Sequence, residues 1–415
     1  MPNHAQRHTL SLLGGDNAPH CENRALRFSK FTDPALKDEG RRKFFDAALS
    51  QKISIAVLKA RIQAYDEFLD RIDGVIRVYA KNESRLLLNM SSGVLENAGL
   101  SLERLTGLPF IPGSAVKGSV RHAAICELHD AAADQKAELL ADIALIFGWG
   151  QDDWKNDLKK SDFSFACGDE FPVAKNEAQR LIGDSFGKFP KEFAGSIAFF
   201  DALPYEPQAN DLEIDIVTSH HMEYYQGNIP VALDNEDPNP VVFPAVASGQ
   251  IFGFALAPVP GCRDMELKNK AENWLRTALE HYGIGAKTAA GYGWFSLCPE
   301  ISDEKRKAEE KRRDNERIAE QALIEKKRHD DELAALPPIE RYKTELTELA
   351  TKNNEAFVDR VKTIEERPDD EQRALIHLFR ENNVLRDRLK TWRKKKNPNA
   401  GLLEKAAQKL GEKLP

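Results

Sequence analysis

The stretch "GIGAKTAAGYG" (residues 283–293) places four glycines around Lys287 and Thr288. It follows a segment with the apolar spacing of a helix and precedes an aromatic segment typical of a strand. Glycine permits left-handed backbone and the close approach of a ligand. The loop could therefore lie against phosphates, with Lys287 and Thr288 as contacts and Tyr292 or Trp294 stacking on a base. The four glycines concerned are Gly283, Gly285, Gly291 and Gly293.

The alternative for this loop is a glycine-rich connection followed by aromatic core residues. A P-loop is excluded because no G-K-[ST] follows a strand. A dinucleotide-binding fingerprint is excluded because the glycines lie after a helix and before a strand. The pattern alone leaves the phosphate contact and the plain connection equally open.

The order of predicted elements around this loop indicates the fold class. The predicted strands are residues 85–90, 195–204, 212–218, 249–258 and 292–299. The predicted helices are residues 113–132 and 262–282. In outline this is β-α-β-β-α-β with long insertions, one of which contains residues 212–218, and this is the order of the ferredoxin-like (RRM-like) unit. We therefore expect an α+β fold with helices on one face of an antiparallel sheet, and a projecting insertion at about 205–248.

The composition changes near residue 300. Residues 1–299 carry 31 Lys and Arg against 40 Asp and Glu, a balance of −9. Residues 300–415 carry 28 against 26, a balance of +2. The first part of this tail has few apolar positions, so it predicts an exposed helix held by charge pairs. Ser302 or Asp303 would cap that helix, and the Pro337-Pro338 pair would end it.

Shorter amphipathic segments after the two prolines predict a small, all-α helical bundle. The chain as a whole is thus predicted to have four regions. These are an N-terminal region with a charged helical insert (1–84), the core with its insertion (85–299), a charged helical linker (300–336) and the bundle (337–415).

Length and composition exclude several classes of protein. The 415 residues are 41% hydrophobic, which suits a globular chain of two or three domains. The net charge of −7 argues against nucleic-acid binding through a broad basic surface. The five cysteines show no metal-ligand spacing, and we expect neither a metal nor a cofactor. No run approaches the roughly 20 apolar residues of a membrane span, and no signal peptide is evident, so we expect a cytoplasmic protein.

A second candidate for phosphate contact is the predicted helix start at "IPGSAVKGSVR" (111–121). Ser114 follows a Pro-Gly turn and is expected to cap the helix, whose first N–H groups favour an anion. Lys117 and Arg121 lie four residues apart on one face, and Gly118 between them permits close approach. This suits a phosphate of a nucleic-acid backbone. The plainer interpretation is a capped helix with two solvated cations.

Two further stretches carry aromatic or charged residues. The projecting insertion holds His220, His221, Tyr224 and Tyr225, followed by an acidic, proline-rich run that is typical of a solvated loop. A histidine there could act as a general base if RNA lies near it. In the tail, a basic cluster follows an aromatic residue, which predicts contact with RNA or with an acidic partner. The plainer interpretation is a solvated helix end. The tail residues concerned are Trp392, Arg393, Lys394 and Lys395.

Three of these stretches occur in an order that resembles the RAMP superfamily of CRISPR proteins. They are "LPFIPGSAVKGSVRHAA", "HHMEYYQG" with "DNEDPNPVVFPAV", and "GIGAKTAAGYG". More narrowly, they resemble the subunit-six family of the type III-B (Cmr) effector. The similarity covers roughly residues 85–297, so the tail lies outside it.

This resemblance implies a ferredoxin-like core with a thumb, in a subunit that caps the backbone filament near the 3′ end of the guide RNA. Lys117, Arg121 and the loop around Lys287 would contact guide RNA. The insertion around His220–Tyr225 would be the thumb, near the duplex of guide and target RNA. The implied partners are guide RNA, target RNA and the other subunits of the type III-B complex. In this family the cleaving aspartate belongs to a sister subunit, so this chain would be non-catalytic.

Two other functions remain open from the sequence. One is a metal-independent endoribonuclease that processes guide RNA, with His220 or His221 as the base and Lys287 steadying the departing phosphate. The other is a protein-interaction scaffold that acts through the charged tail.

Overall fold

The computed structural model describes residues 7–15, 20–51, 54–150, 152, 153, 155–159, 161–186, 192–208, 210–219, 221–232, 239–262 and 264–415. The chain forms two compact units, Met1–Glu309 and Glu310–Pro415, each with its own hydrophobic core. The finer division into four regions stays a prediction.

The elements of the first unit are numbered in chain order. Its strands are β1 (Ile76–Asn82), β2 (Gly148–Trp149), β3 (Phe193–Ala194), β4 (Ile197–Phe199), β5 (Leu203–Pro204), β6 (Leu212–Ser219), β7 (Asn239–Val246), β8 (Ile251–Pro258) and β9 (Phe295–Leu297). Its helices are α1 (Arg7–Leu12), α2 (Arg24–Leu26), α3 (Asp38–Leu49), α4 (Ile55–Asp70), α5 (Gly113–Asp130), α6 (Lys136–Phe147), α7 (Asp162–Cys167), α8 (Phe171–Phe186), α9 (Met222–Tyr225) and α10 (Met265–Thr277).

The main sheet is antiparallel throughout, with the order β4-β8-β1-β9, and β5 also pairs with β8. The central pair runs from Ile76 opposite Leu256 to Lys81 opposite Ile251. Val78 and Ala80 alternate toward the core and are fully buried, as the period of two in a strand requires. A separate two-stranded antiparallel ribbon is formed by β6 and β7, in unbroken register over eight residue pairs.

The core of the first unit lies between the main sheet and the helices packed on it. Helix α5 contributes Val116, Val120 and Ala124, which recur at helical spacing and are fully buried. Helix α10 contributes the buried residues Leu275 and Trp274 to the same cluster. The predicted helices at 113–132 and 262–282 and the predicted strands at 212–218 and 249–258 are confirmed.

Other sequence-based assignments are wrong in detail. No side chain caps α5, where Ser114 is exposed, and the long tail helix begins at Pro299, ahead of Ser302 and Asp303. The predicted strand at 195–204 is broken into β4 and β5. The predicted strand at 292–299 shrinks to β9.

The predicted strand at 85–90 is replaced by β1, which precedes it, and by one isolated bridge between Leu86 and Val246. The reason is that other partners take the backbone groups of this segment. The Leu87 carbonyl accepts from the N–H of Ala286 at 2.8 Å, and the Arg85 carbonyl accepts from the N–H of Gly293 at 2.8 Å. Segment 83–87 is thus held between the glycine loop on one side and the ribbon on the other.

Glycine is required at three positions of the loop because backbone atoms of other residues lie where a Cβ atom would be. At Gly285 φ is +106°, and a Cβ atom added there would lie 2.3 Å from the Leu87 carbonyl oxygen. One added at Gly293 would lie 2.0 Å from the Ile284 carbonyl oxygen. A Cβ added at Gly283 would lie 2.8 Å from the Gly293 carbonyl oxygen. These three glycines are therefore needed by the fold itself.

The base of the ribbon is anchored by a buried ion pair. The Arg24 guanidinium donates to both carboxylate oxygens of Asp211, at 2.6 and 2.7 Å, and to the Gly107 carbonyl at 3.0 Å. The two side chains are 1% and 4% exposed. Since Asp211 directly precedes β6, this pair joins the N-terminal segment to the ribbon across 187 positions of sequence.

The second unit is helical. The 37-residue helix α11 (Pro299–Ala335) begins in the first unit and ends just before the two prolines, as predicted. It is followed by α12 (Pro338–Lys352), α13 (Asn354–Lys362), α14 (Asp369–Glu381), α15 (Asn383–Lys394) and α16 (Pro398–Leu410). Phe357, Leu375 and Phe379 are at the centre of its core, with no exposed surface. Across the part of the chain that the structure describes, no helix is long and apolar enough to cross a bilayer.

Replacing Gly285 by alanine should destabilise the first unit by about 2–3 kcal/mol, because the methyl group meets backbone that has no room to move. Gly291→Ala is the matched control: its φ is +91° but a Cβ there meets nothing within 4 Å. The Gly291→Ala variant should therefore lose only about 1–2 kcal/mol of stability, from the strain of left-handed backbone. Calorimetric unfolding of both variants checks this, and equal losses would show that the close contact is unimportant.

Removing one partner of the Arg24–Asp211 pair should also destabilise the fold. In Asp211→Leu the guanidinium stays buried without its carboxylate, which is expected to cost about 3–5 kcal/mol. The double variant Arg24→Met/Asp211→Leu should be closer to the parent, because no unpaired charge remains. Urea unfolding of the parent, both single variants and the double variant measures this coupling. A double variant as unstable as the sum of the single variants would refute it.

Candidate nucleic-acid interface

A carboxylate of the protein itself, that of Asp201, binds the start of α5. The backbone N–H of Gly113 donates to the Asp201 carboxylate at 2.7 Å. A Cβ at Gly113 would lie 2.4 Å from the Phe199 carbonyl oxygen, so this helix start is pressed against the end of β4. Asp201 satisfies a donor that the helix cannot bond internally. It lies 88 positions away in sequence, and no local pattern could have revealed it.

The two cations of α5 differ in their surroundings. Arg121 pairs with Asp162 at 2.6 Å and lies over the Phe163 ring at 5.0 Å. Lys117 is half-buried and has no ion-pair partner among the described residues. Burial, together with the charge of Arg121, lowers the pKa of the Lys117 amine. Lys117 is therefore the more available of the two for an external phosphate.

The glycine loop presents Lys287 at the base of the ribbon. Lys287 has left-handed backbone, with φ of +59°. Its Nζ lies 4.8 Å from the centre of the Phe243 ring of β7, a cation–π contact. No carboxylate within the described residues pairs with it. The loop thus holds one uncompensated cation in a defined place.

The aromatic residues that follow are engaged within the protein. The Tyr292 hydroxyl donates to the Asp215 carboxylate at 2.6 Å, and Arg85 approaches the same oxygen at 3.4 Å. Burial and this carboxylate raise the pKa of Tyr292 to about 12, so the hydroxyl remains a donor at neutral pH. Trp294 donates from Nε1 to the Thr288 carbonyl at 3.0 Å. The predicted stacking of Tyr292 on a base stays a prediction.

The far end of the ribbon carries exposed aromatic residues. Tyr224 and Tyr225 contact each other edge to face, with ring centres 5.7 Å apart, and are 44% and 75% exposed. His221 directly precedes their short helix α9 and is half-buried. His220, the other histidine predicted to lie here, falls outside the described residues. Within the described ranges, no group of three potential metal-ligating side chains is found.

The predicted tail residues divide into two kinds. Trp392 is half-buried, with its ring centre 5.9 Å from that of Phe379 in the core of the second unit. Arg393 pairs with Glu404 at 2.8 Å. Lys394 and Lys395 are exposed at the end of α15. Sequence reasoning omitted their neighbour Lys396, although the run of three lysines is visible in the sequence.

Comparison with known proteins gives consistent relatives. A family model described as the RAMP superfamily matches residues 91–296. The CRISPR system Cmr subunit Cmr6 of Pyrococcus furiosus is 31% identical over an alignment of 265 positions, and the match covers 57% of this chain and 71% of that protein.

Two solved structures are also similar. One is a type III-B Cmr-beta complex bound to cognate target RNA, with a TM-score of 0.39, 18% identity and coverage of 62% of this chain and 71% of the other. The second is Cmr6 from Pyrococcus furiosus, with a TM-score of 0.30, 27% identity and coverage of 54% and 98%. On the sequence relationship, the chain belongs to the RAMP superfamily and, within it, to the Cmr6 family.

Proposed function

We propose that this chain is a non-catalytic, RNA-binding subunit of a type III-B CRISPR effector complex. The observation that carries the proposal is the 31% identity to Cmr6, which is described as a subunit of the CRISPR Cmr system. The proposed partners are guide RNA, target RNA and the other subunits of the complex, in the cytoplasm. The proposed position is the cap of the backbone filament, near the 3′ end of the guide.

We further infer that the core is ferredoxin-like. Along the chain the main elements run β1-α5-β4-β8-α10-β9, and across the sheet the strands run β9-β1-β8-β4. The fourth, first, third and second strands thus lie side by side, each antiparallel to its neighbour. That arrangement supports a split βαβ unit. The β6–β7 ribbon is the proposed thumb, because it forms a two-stranded sheet separate from the main sheet and ends in exposed tyrosines.

Uncompensated cations support guide RNA contact by this core. Two arginines near the candidate residues are neutralised internally, Arg121 by Asp162 and Arg85 by Glu213. Lys117 and Lys287 are not, and a phosphate could pair with either without first displacing a carboxylate. A cation that has no internal partner can release counterions from RNA and so contribute to affinity.

The variants Lys117→Ala and Lys287→Ala should therefore bind guide RNA less tightly than the parent. Each lost phosphate contact should reduce the slope of log affinity against log salt by about 0.7. Lys43→Ala is the matched control, since Lys43 is exposed and already paired with Glu39 at 2.7 Å. Filter binding over a salt series measures the slopes, together with the RNA retained by the purified complex. Unchanged slopes and full guide occupancy in the Lys117/Lys287 double variant would refute the proposed contacts.

A nuclease assay tests the non-catalytic part of the proposal. The parent chain should leave CRISPR repeat RNA intact in the presence of EDTA. Cleavage that His221→Ala abolishes would instead assign the chain to guide processing, with His221 as the base.

A further inference from the structure

Charge is unevenly distributed in the second unit. Helices α12–α14, residues 338–381, carry eight Lys and Arg against eleven Asp and Glu, a balance of −3. Residues 382–415, which contain α15 and α16, carry ten against three, a balance of +7. A chain whose net charge is −7 thus ends in a strongly basic surface.

Within this basic part, several cations are neutralised by neighbours. Lys390 pairs with Asp387 at 3.1 Å, Arg393 with Glu404 at 2.8 Å and Lys409 with Asp369 at 3.2 Å. The consecutive residues 394–396 are different. All three lysines are exposed, and their amines have no ion-pair or hydrogen-bond partner anywhere in the described chain.

The backbone of Lys396 is a second, independent observation. Its φ is +51°, and it closes α15 with its N–H bonded to the Arg393 carbonyl at 3.1 Å. The N–H of Asn397 bonds to the Trp392 carbonyl at 2.9 Å, which completes a Schellman motif. Glycine is the residue that this position favours, because a side chain is strained there.

Strained lysines are rare in this protein. The described residues other than glycine that have positive φ are two asparagines, which tolerate this conformation, and the lysines at 287 and 396. Each of these lysines carries an amine without an internal ion-pair partner. Residues held in strained backbone cluster at functional sites, which makes these two lysines candidates for a functional contact.

The surroundings of the three lysines favour RNA over a protein partner. No large apolar side chain is exposed between residues 385 and 415. Trp392 is held against the core of the unit and Arg393 is paired, so neither offers an anchor. Protein interfaces usually have an apolar centre, whereas phosphates need only accessible cations.

We propose that Lys394, Lys395 and Lys396 form a second RNA-binding surface, which holds backbone phosphates of single-stranded RNA. This surface belongs to the second unit, which lies outside the residues matched by the RAMP model. The inference does not depend on the guide contacts proposed for the first unit.

The test is a charge-removal variant of the full chain, Lys394→Gln/Lys395→Gln/Lys396→Gln. Its binding to a labelled single-stranded RNA should weaken, and the slope of log affinity against log salt should fall by about 2. The matched control is Lys352→Gln/Lys362→Gln/Lys409→Gln, which removes the same charge from three exposed but paired lysines of the same unit. Equal slopes for the two triple variants would overturn the proposal.

A single variant distinguishes a role of Lys396 in RNA binding from a role in ending α15. In Lys396→Gly, relief of the left-handed strain should leave Tm equal to or above that of the parent, while the salt slope falls by about 0.7. A raised Tm with RNA binding unchanged would mean that Lys396 is no more than a poor helix cap, and would overturn its role.

Combining variants keeps this proposal distinct from the proposed function. The tail triple variant is made in the parent and in the Lys117→Ala/Lys287→Ala background. If the tail surface binds RNA, the slope falls by a similar amount in both backgrounds, even if the first unit proves not to bind. If only the core variants lose RNA, the tail proposal fails and the proposed guide contacts stand. Loss of co-purifying protein subunits with RNA binding intact would also overturn it, in favour of an acidic protein partner.

Discussion

The first unit depends on a contact between two pieces of backbone. Segment 83–87 leaves the central strand β1 and lies directly on the loop 283–293, so close that a Cβ at Gly285 would overlap the Leu87 carbonyl oxygen. The other side of the same segment bonds to the ribbon through Leu86 and Val246. Glycine is therefore a packing requirement here, and it brings the sheet, the loop and the ribbon base together around one lysine.

The electrostatics of the protein follow from how its cations are partnered. Arg24, Arg121 and Arg85 each have carboxylates within hydrogen-bond distance, and they join elements that are far apart in sequence. These pairs hold the fold of a protein whose net charge is −7. Lys117 and Lys287 have no such partner among the described residues, so the first unit would contact a nucleic acid at separate points and not through a broad basic face.

The second unit has its own core and its own distribution of charge. Phe357 and Phe379 pack at its centre, with ring centres 6.1 Å apart. Helices α12–α14 carry its net negative charge, and α15 and α16 with the residues after them carry its net positive charge. A buried carboxylate, Glu371, is paired with Arg360 at 2.9 Å, which ties α13 to α14. These contacts are all made within the second unit.

The sequence by itself determined helices α5 and α10, strands β6 and β8, the helical tail with its change of composition near residue 300, and the family, because these depend on local periodicity, charge density and motifs. It pointed to Lys117 and Lys287 as candidates but misplaced the central strand at 85–90, since backbone partners of a segment are chosen by distant residues. Only the tertiary structure decided why Gly285 is a glycine, that Asp201 occupies the start of α5, and that Arg121 and Trp392 are engaged internally. Each of these contacts joins positions brought together by folding, across spacings that no local pattern encodes.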